Sequence, residues 1–443
     1  MRQACPVTQT AARRPGRRAP TLPRVHRAWL VAAVAFVALI GAAGFRATPG
    51  ALITPLQDEY GWSRGTISLA VSVNLLLYGL TAPFAAALMN RFGIRPVVSC
   101  ALLLVALGSG LTVFMTASWQ LVLLWGVLVG LGTGSMALAF VATITGRWFV
   151  KQRGLVTGVL TAAGATGQLV FLPAVAWLAQ HHGWRSASLV VAVGALAVVP
   201  LVLIFLREHP SDLGLPLYGA TEVVTPTVPA GGAARQTIDA LRFAARTRAF
   251  WLLAGGFAIC GASTNGLVGT HFIPAAHDHG MPTTTAAGLL ALVGLFDIVG
   301  TIFSGWLTDR VDSRILLGVY YALRGASLLI LSQLFAASAH PSLFVFIVFY
   351  GLDWVATVPP TVALCRQYYG DRGPIVFGWV FASHQFGAAI AATGAGLTRD
   401  HLGTYSPAWY VAGGLCLIAS VFSLRLGRGG SEMPQRVSVV GAM

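Results

Sequence analysis

The chain has 443 residues, of which 56% are hydrophobic and only 10% charged, with a formal net charge of +15. A soluble domain carries about 25% charged residues, so this composition excludes a water-soluble fold and makes lipid the solvent for the apolar surface. The positive excess does not mark a nucleic-acid partner. Of the 29 basic residues, 24 fall in the N-terminal segment, in alternate loops, in a central loop and in the C-terminal tail, while the intervening loops keep only Arg64, Arg185 and Arg399. Such alternation is the positive-inside rule of a bilayer protein and predicts that both termini are cytoplasmic.

Residues 1–28 form a basic tail that contains Arg13-Arg14 and Arg17-Arg18. An apolar run follows, as in an export signal, but it is long and has a counterpart in the second half of the chain, so an uncleaved first helix is expected. Twelve apolar runs reach the ~20 residues needed to cross the bilayer as helices. Their cores are Trp29–Leu56, Ile67–Leu88, Val97–Phe114, Leu121–Thr143, Leu155–Leu178 and Ala187–Leu206, then Phe250–Ile273, Ala286–Leu307, Ile315–Phe335, Leu343–Cys365, Ile375–Leu397 and Trp409–Leu424. The fold class is therefore an all-α integral membrane protein, with six helices in residues 29–206 and six in residues 249–426. Gly126, Gly130 and Gly134 stand four apart, the spacing by which membrane helices pack closely. Between the halves, residues 207–248 carry Pro210, Pro216, Pro226 and Pro229. From Gln236 to Arg248 arginines alternate with apolar residues at helical spacing, which predicts an amphipathic helix on the cytoplasmic surface. Residues 427–443 are a second cytoplasmic tail. The five cysteines (Cys5, Cys100, Cys260, Cys365 and Cys416) have no metal-like spacing, and neither a disulfide framework, a metal nor a cofactor is expected.

The two halves repeat. A shift of 219 positions lays Leu88 on Leu307, Arg91 on Arg310 and Arg95 on Arg314, and also Gly132 on Gly351, Arg147 on Arg366 and Arg153 on Arg372. Matching apolar halves are the mark of a transporter built from repeats.

The loops at these positions resemble a signature of the major facilitator superfamily, Gly-x-Leu-x-Asp-Arg-x-Gly-Arg-Arg. The second copy matches at Gly305, Leu307, Asp309, Arg310 and Arg314, and the first at Leu88, Arg91, Gly93 and Arg95, with Asn90 in place of the aspartate. The resemblance implies a loop that latches the two bundles at the cytoplasmic side. The segment Trp148-Phe149-x-Lys151-x-Arg153-x-Leu155-x-x-Gly158 resembles the monocarboxylate-porter signature, and Lys151 is the single lysine of the chain. The turns Gly61-Trp62-Ser63-Arg64 and Gly183-Trp184-Arg185 are similar to those of bacterial members, including oxalate/formate-type exchangers. The resemblance implies a bacterial cytoplasmic-membrane transporter, working as a monomer, with helices 1, 4, 7 and 10 around a central cavity.

Ionisable groups at bilayer depth are expensive and point to function. Arg46 in the first helix and Asp353 in the tenth are expected at the cavity. Asn74, His384 and Gln385 lie at similar depth and complete the expected substrate site. Arg324, in the ninth helix, is expected to pair with Asp297 or Asp353, and of the two Asp353, at similar depth on the next helix, is the expected partner, with Asp297 the coupling group. Monocarboxylate porters carry an aspartate on the eighth helix, matched here by Asp297, and an arginine four residues later, where this chain has Thr301. They also use a lysine in the first helix, for which Arg46, about one turn away, is the nearest cation. The reading is a secondary transporter of a small organic anion, a monocarboxylate, in symport with protons; a proton on Asp297 or Asp353 would neutralise a buried charge and let the loaded carrier reorient. The alternative is a drug or metabolite efflux antiporter, although the fifth helix, Ala162 to Gln168, lacks the proline of the usual antiporter motif. A membrane enzyme is excluded by the lack of a nucleophile–base set, a metal cluster or a nucleotide loop.

Overall fold

The computed structural model describes residues 26–46, 48–136, 138–223, 232–308 and 310–427, without the side chains at positions 46, 86, 87, 138, 139, 153, 165, 233, 236 and 371. The two tails and Asp309 thus lie outside the described residues. Inside a bilayer every backbone N–H and C=O must find a partner within the protein, which leaves helices as the only spanning element for a chain like this one. Twelve helical spans are long and apolar enough to cross: Arg27–Tyr60, Arg64–Ala85, Ile94–Phe114, Ser118–Trp148, Leu155–His182, Trp184–Phe205, Arg248–Asp278, Thr283–Thr308, Ser313–Leu331, Pro341–Tyr369, Gly373–Leu402 and Ser406–Leu424. The protein is a multi-pass membrane protein.

Among the described residues, three of these spans are markedly irregular. The fourth has a wide π-helical stretch at Val122–Val129 and a second interruption between Ser135 and Leu138. The seventh widens to a π-helix at Ala262–Val268. The tenth is Pro341–Asp353 and Val358–Tyr369, with turns between. The repeat shift of 219 positions carries Met136, where the fourth span turns, onto Val355, in the break of the tenth. Irregular stretches thus fall in three of the four spans that the family resemblance places at the cavity, the fourth, the seventh and the tenth.

The halves use the same internal packing: the third span lies on the sixth, and the ninth on the twelfth. Gly126, Gly130 and Gly134 press on Val73, Asn74 and Tyr78 of the second span, as the small-residue spacing predicts. Across the centre, the second span runs along the eleventh and the fifth along the eighth. A Cβ on Gly79 would stand 2.6 Å from the Gln385 Cβ, and one on Gly396 would stand 2.9 Å from the Arg64 carbonyl oxygen, so backbones meet closely along this seam.

The connecting helix is Ala233–Ala244, starting before Gln236 and ending short of Arg248. The reason is local. The Thr247 hydroxyl accepts from the Phe250 N–H at 3.3 Å and starts the seventh span there, so the chain must turn first. The helix buries Ala240 and Ala244, receives a 2.9 Å bond from Trp379 Nε1 on the Thr237 carbonyl, and touches both the second and eleventh spans.

Where the eighth span crosses the tenth, the contact depends on Gly300: an added Cβ would fall 1.9 Å from the Leu352 carbonyl oxygen, a backbone atom that cannot step aside. Gly300→Ala is expected to destabilise the protein by about 1–3 kcal/mol, seen as a lower melting temperature and yield in detergent. Gly288→Ala in the same helix, whose Cβ would meet nothing within 4 Å, should behave as wild type; equal melting of the two variants would contradict this packing.

Candidate functional site

A cavity of about 70 Å³ lies between the halves. Phe45 and Pro49 of the first span, Val71, Asn74, Leu75 and Tyr78 of the second, and Gln168 of the fifth form its wall on one side. Asn265, Gly269 and Thr270 of the seventh span, Trp354 of the tenth and Gln385 of the eleventh form the other. None of these wall residues is charged. Phe45 and Pro49 flank Arg46 in the chain, whose side chain lies outside the described part. Of the expected substrate residues, Asn74 and Gln385 are thus in the wall. The His384 ring packs on Phe257 and Phe381, with centroids 4.9 and 5.8 Å away, and is not among the wall residues.

Asp353 is not in the wall either. Its Oδ2 accepts from Arg324 Nε at 2.5 Å, and both side chains are buried. Arg324 Nη2 donates to the Asp353 carbonyl at 2.5 Å and the Trp354 carbonyl at 3.3 Å, and Nη1 donates to the Cys260 sulfur at 2.9 Å. Asp297 approaches the same break from the eighth span. Its Oδ1 accepts from the Thr301 hydroxyl at 2.9 Å and from the Val355 N–H at 3.0 Å. The Ser304 hydroxyl donates to the Ala356 carbonyl at 2.5 Å. The backbone groups released by the tenth helix are therefore met by Arg324, Asp297 and Ser304. Arg324 pairs with Asp353, whereas Asp297 has no cation paired with it among the described residues. Thr301, which stands at the family's arginine position, is a hydrogen-bond donor to Asp297.

On the arginine-poor face the halves are tied by charge. Arg64, at the start of the second span, grips Asp278, at the end of the seventh, with two bonds of 2.8 and 2.7 Å. Arg399 donates to the same carboxylate at 2.7 Å. Asp400 accepts from the N–H groups of Arg64 and Gly65 at 3.0 and 2.7 Å, capping the second span from the other half. Towards the opposite face, aromatic pairs close the second–eleventh seam: Tyr78 with Phe381 and Phe84 with Trp379, at 5.9 and 5.8 Å. The cavity lies between these closures. Arg64 and Arg399 read in the sequence only as exceptions to the charge rule. Their positions at helix ends on one face were the signal for this tie.

The signature loops hold each half to its own connections. Asn90 accepts from Arg147 Nη2 at 2.7 Å, Arg147 Nη1 donates to Glu208 at 3.0 Å, and Glu208 accepts from the N–H groups of Ile94 and Arg95 at 2.7 and 3.1 Å. Gly93 has φ +91°, and the Arg95 side chain bonds the Leu203 carbonyl. Arg91 lies over the Phe92 ring at 5.2 Å. In the second copy, Arg310 sits 4.1 Å over the Trp306 ring, Arg314 bonds Asp312 and the Leu426 carbonyl, and Gly305 faces open space. The bonds these described residues make stay within one half and its connecting segment, whereas a latch between halves was expected. Asp309, the residue on which the latch expectation rests, is outside the described residues. In the other signature, Phe149 packs on Trp29 and Tyr218 at 5.5 and 5.7 Å, and the Tyr218 carbonyl takes the N–H groups of Val150 and Lys151. The Lys151 stem lies against Gly219, and Gly158 has open space where a Cβ would be.

A broken-helix cavity between two pseudo-symmetric halves defines a secondary transporter fold. The sequence profile of the Major Facilitator Superfamily matches residues 34–373 and 262–437; the chain belongs to this superfamily of transporters and not to an enzyme family. YcxA, an MFS-type transporter of Bacillus subtilis, is 27% identical over 395 residues, covering 86% of this chain and 90% of YcxA. Monocarboxylate transporter 13 of Bos taurus is 28% identical over 401 residues, covering 88% and 87%. Among solved structures, a D-xylose–proton symporter superposes with a TM-score of 0.69 at 15% identity, covering 90% of this chain and 97% of that one, a likeness of fold.

Two outcomes follow from these ion pairs. Asp353→Asn leaves Arg324 buried without its partner, at a cost of about 3–5 kcal/mol; expression should fall, and the added change Arg324→Gln should partly restore it. Unchanged yield and melting of Asp353→Asn would contradict the pairing. Arg64→Gln removes the two-pronged tie between halves, so spin labels at Ser63 and His401 should report a distance distribution extended to longer values, where an unchanged distribution would count against the tie.

Proposed function

We propose that this protein carries a small organic anion, a monocarboxylate, across the bacterial cytoplasmic membrane by alternating access in symport with protons, acting as a monomer with both termini cytoplasmic. The observation that carries the reading is the cavity between the halves, whose wall brackets the only cation of the first span core, Arg46. A guanidinium at this depth has a fixed fork that suits a carboxylate. The near full-length similarity to proteins named monocarboxylate transporters supports the substrate class, and that to YcxA supports a bacterial membrane. The excess of arginine in alternate loops supports the orientation.

The proton is assigned to Asp297. It is buried, bonds the break of the tenth helix, and is not held by a cation, unlike Asp353. Taking up a proton would alter its bond to the Val355 N–H, next to the cavity residue Trp354, which links protonation to the shape of the wall. Asn74 and Gln385 are assigned to substrate contact. His384 receives no direct contact, since its ring lies among aromatic side chains.

Uptake of labelled carboxylates into proteoliposomes, with and without an imposed pH gradient, tests the whole reading; uptake insensitive to the gradient would refute the coupling. Arg46→Ala is expected to abolish anion transport in a protein that still inserts, and Arg46→Lys to impair it, since a point charge does not reproduce a bidentate grip. Asp297→Asn is expected to lose accumulation driven by a pH gradient but to retain exchange of substrate for substrate. Gradient-driven accumulation by a well-folded Asp297→Asn protein would remove the proton from this residue.

A further inference from the structure

The cavity wall carries four carboxamides, two from each half: Asn74 and Gln168 face Asn265 and Gln385 across the space. Asn74 is partly engaged, its Nδ2 donating to the Trp125 carbonyl at 2.8 Å. Gln385 is not. It is 1% exposed, and its Oε1 has no hydrogen-bond partner. Its stem is pressed to the second span at Gly79, where an added Cβ would be 2.6 Å from Gln385 Cβ, so the amide head has little freedom to seek one. No side-chain hydrogen bond joins Gln168 or Asn265 to another described residue. Buried polar atoms are normally paired, and an unmet one marks a partner yet to arrive.

The chemistry of that partner follows from the wall. A carboxamide offers both donor and acceptor, and a hydroxyl group answers whichever end faces it. An alkyl chain would leave these amides unpaired, and a carboxylate, which only accepts, would leave the Gln385 oxygen unmet. A site built to bond hydroxyls discriminates strongly against analogues that lack them. Three amides on three spans call for several hydroxyls, more than a simple 2-hydroxy acid offers. Resting on the anion reading above, we infer that the cargo is a polyhydroxylated monocarboxylate of the sugar-acid class, with Gln168, Asn265 and Gln385 reading its hydroxyls and Arg46 its carboxylate.

The test uses the full chain in proteoliposomes and three probes of equal carbon number: D-gluconate, hexanoate and sorbitol. Gluconate should be taken up at least about tenfold faster than either of the others, the ratio expected for even one lost hydrogen bond of about 1.4 kcal/mol. Hexanoate carried as well as gluconate would overturn the hydroxyl assignment and leave the anion reading standing. Sorbitol carried as well as gluconate would overturn the carboxylate part, and the sugar-acid class with it. Uptake of none of the three overturns the assignment. Gln385→Leu and Gln168→Leu, one in each half, should each reduce gluconate uptake at least about tenfold; one of them suffices if the other fails to fold. Wild-type gluconate uptake by a folded leucine variant at both sites overturns the role of the amides.

Discussion

In the hydrocarbon layer a peptide group has no water to bond, so a helix that breaks at mid-depth must have its released groups met by the protein. The tenth span breaks between Asp353 and Val358, and three side chains answer it: Arg324 for the carbonyls of Asp353 and Trp354, Asp297 for the N–H of Val355, and Ser304 for the carbonyl of Ala356. This dependence explains why charge is tolerated here at all. Arg324 and Asp353 are each costly alone at this depth, yet as a pair they neutralise one another while the guanidinium keeps donors for the backbone. The close crossing at Gly300 is part of the same arrangement, because only without a Cβ can the eighth span bring Asp297 and Ser304 within reach. Trp354, at the break, then becomes part of the cavity wall.

The break also sets what the molecule can do. A continuous helix presents side chains only, whereas an interrupted one bends and turns backbone and side chains into a central space. Irregular stretches fall in the fourth, seventh and tenth spans, and the turn at Met136 of the fourth lies at the repeat position of Val355 in the tenth. The supporting spans, such as the third with the sixth and the ninth with the twelfth, remain regular. Charges tie the halves at one face, through Arg64, Asp278, Arg399 and Asp400, and rings press together toward the other, through Phe84 and Trp379. An ion pair has a directional, short-range geometry and a ring contact a broader one, so the two closures respond differently when the halves rock.

Span number, repeat and charge alternation were legible in the sequence because each is a property of composition along the chain. The core Ile315–Phe335 overran its helix, which ends at Leu331, since apolar residues continue into the turn and hydropathy does not register where hydrogen bonding stops. The pairing of Arg324 with an aspartate was legible from the cost of isolated charge. Asp353 was the expected partner from its depth on the helix next to that of Arg324 and from the place of Asp297 in the family pattern, and it is the one Arg324 grips. The ties at Arg64 and Asp400 showed in the sequence only as exceptions to the charge rule, because they join residues more than 200 positions apart at helix ends, where a charge needs no special explanation. The carboxamides escaped in part for a related reason: Gln168 and Asn265 are unremarkable in an apolar run until two halves are placed face to face.

Asn90 illustrates how a departure from a family pattern is answered in three dimensions. The neutral amide cannot supply the negative charge that an aspartate would bring to the loop after the second span. Glu208, from the segment that leaves the sixth span, brings it instead. Its carboxylate caps the third span at Ile94 and Arg95, where the helix N-terminus favours an anion, and it pairs with Arg147, which in turn holds Asn90. The positive φ of Gly93 lets the chain turn there, and a Cβ at that position would stand 2.8 Å from Glu208 Oε1. Ten residues on, Tyr218 bonds the backbone of Val150 and Lys151. The start of the connecting segment is thereby fastened to the first half by both signature loops, while its later helix, Ala233–Ala244, touches the second and eleventh spans together. A connection anchored on one side and resting across the seam on the other limits how far the two halves can separate at that face.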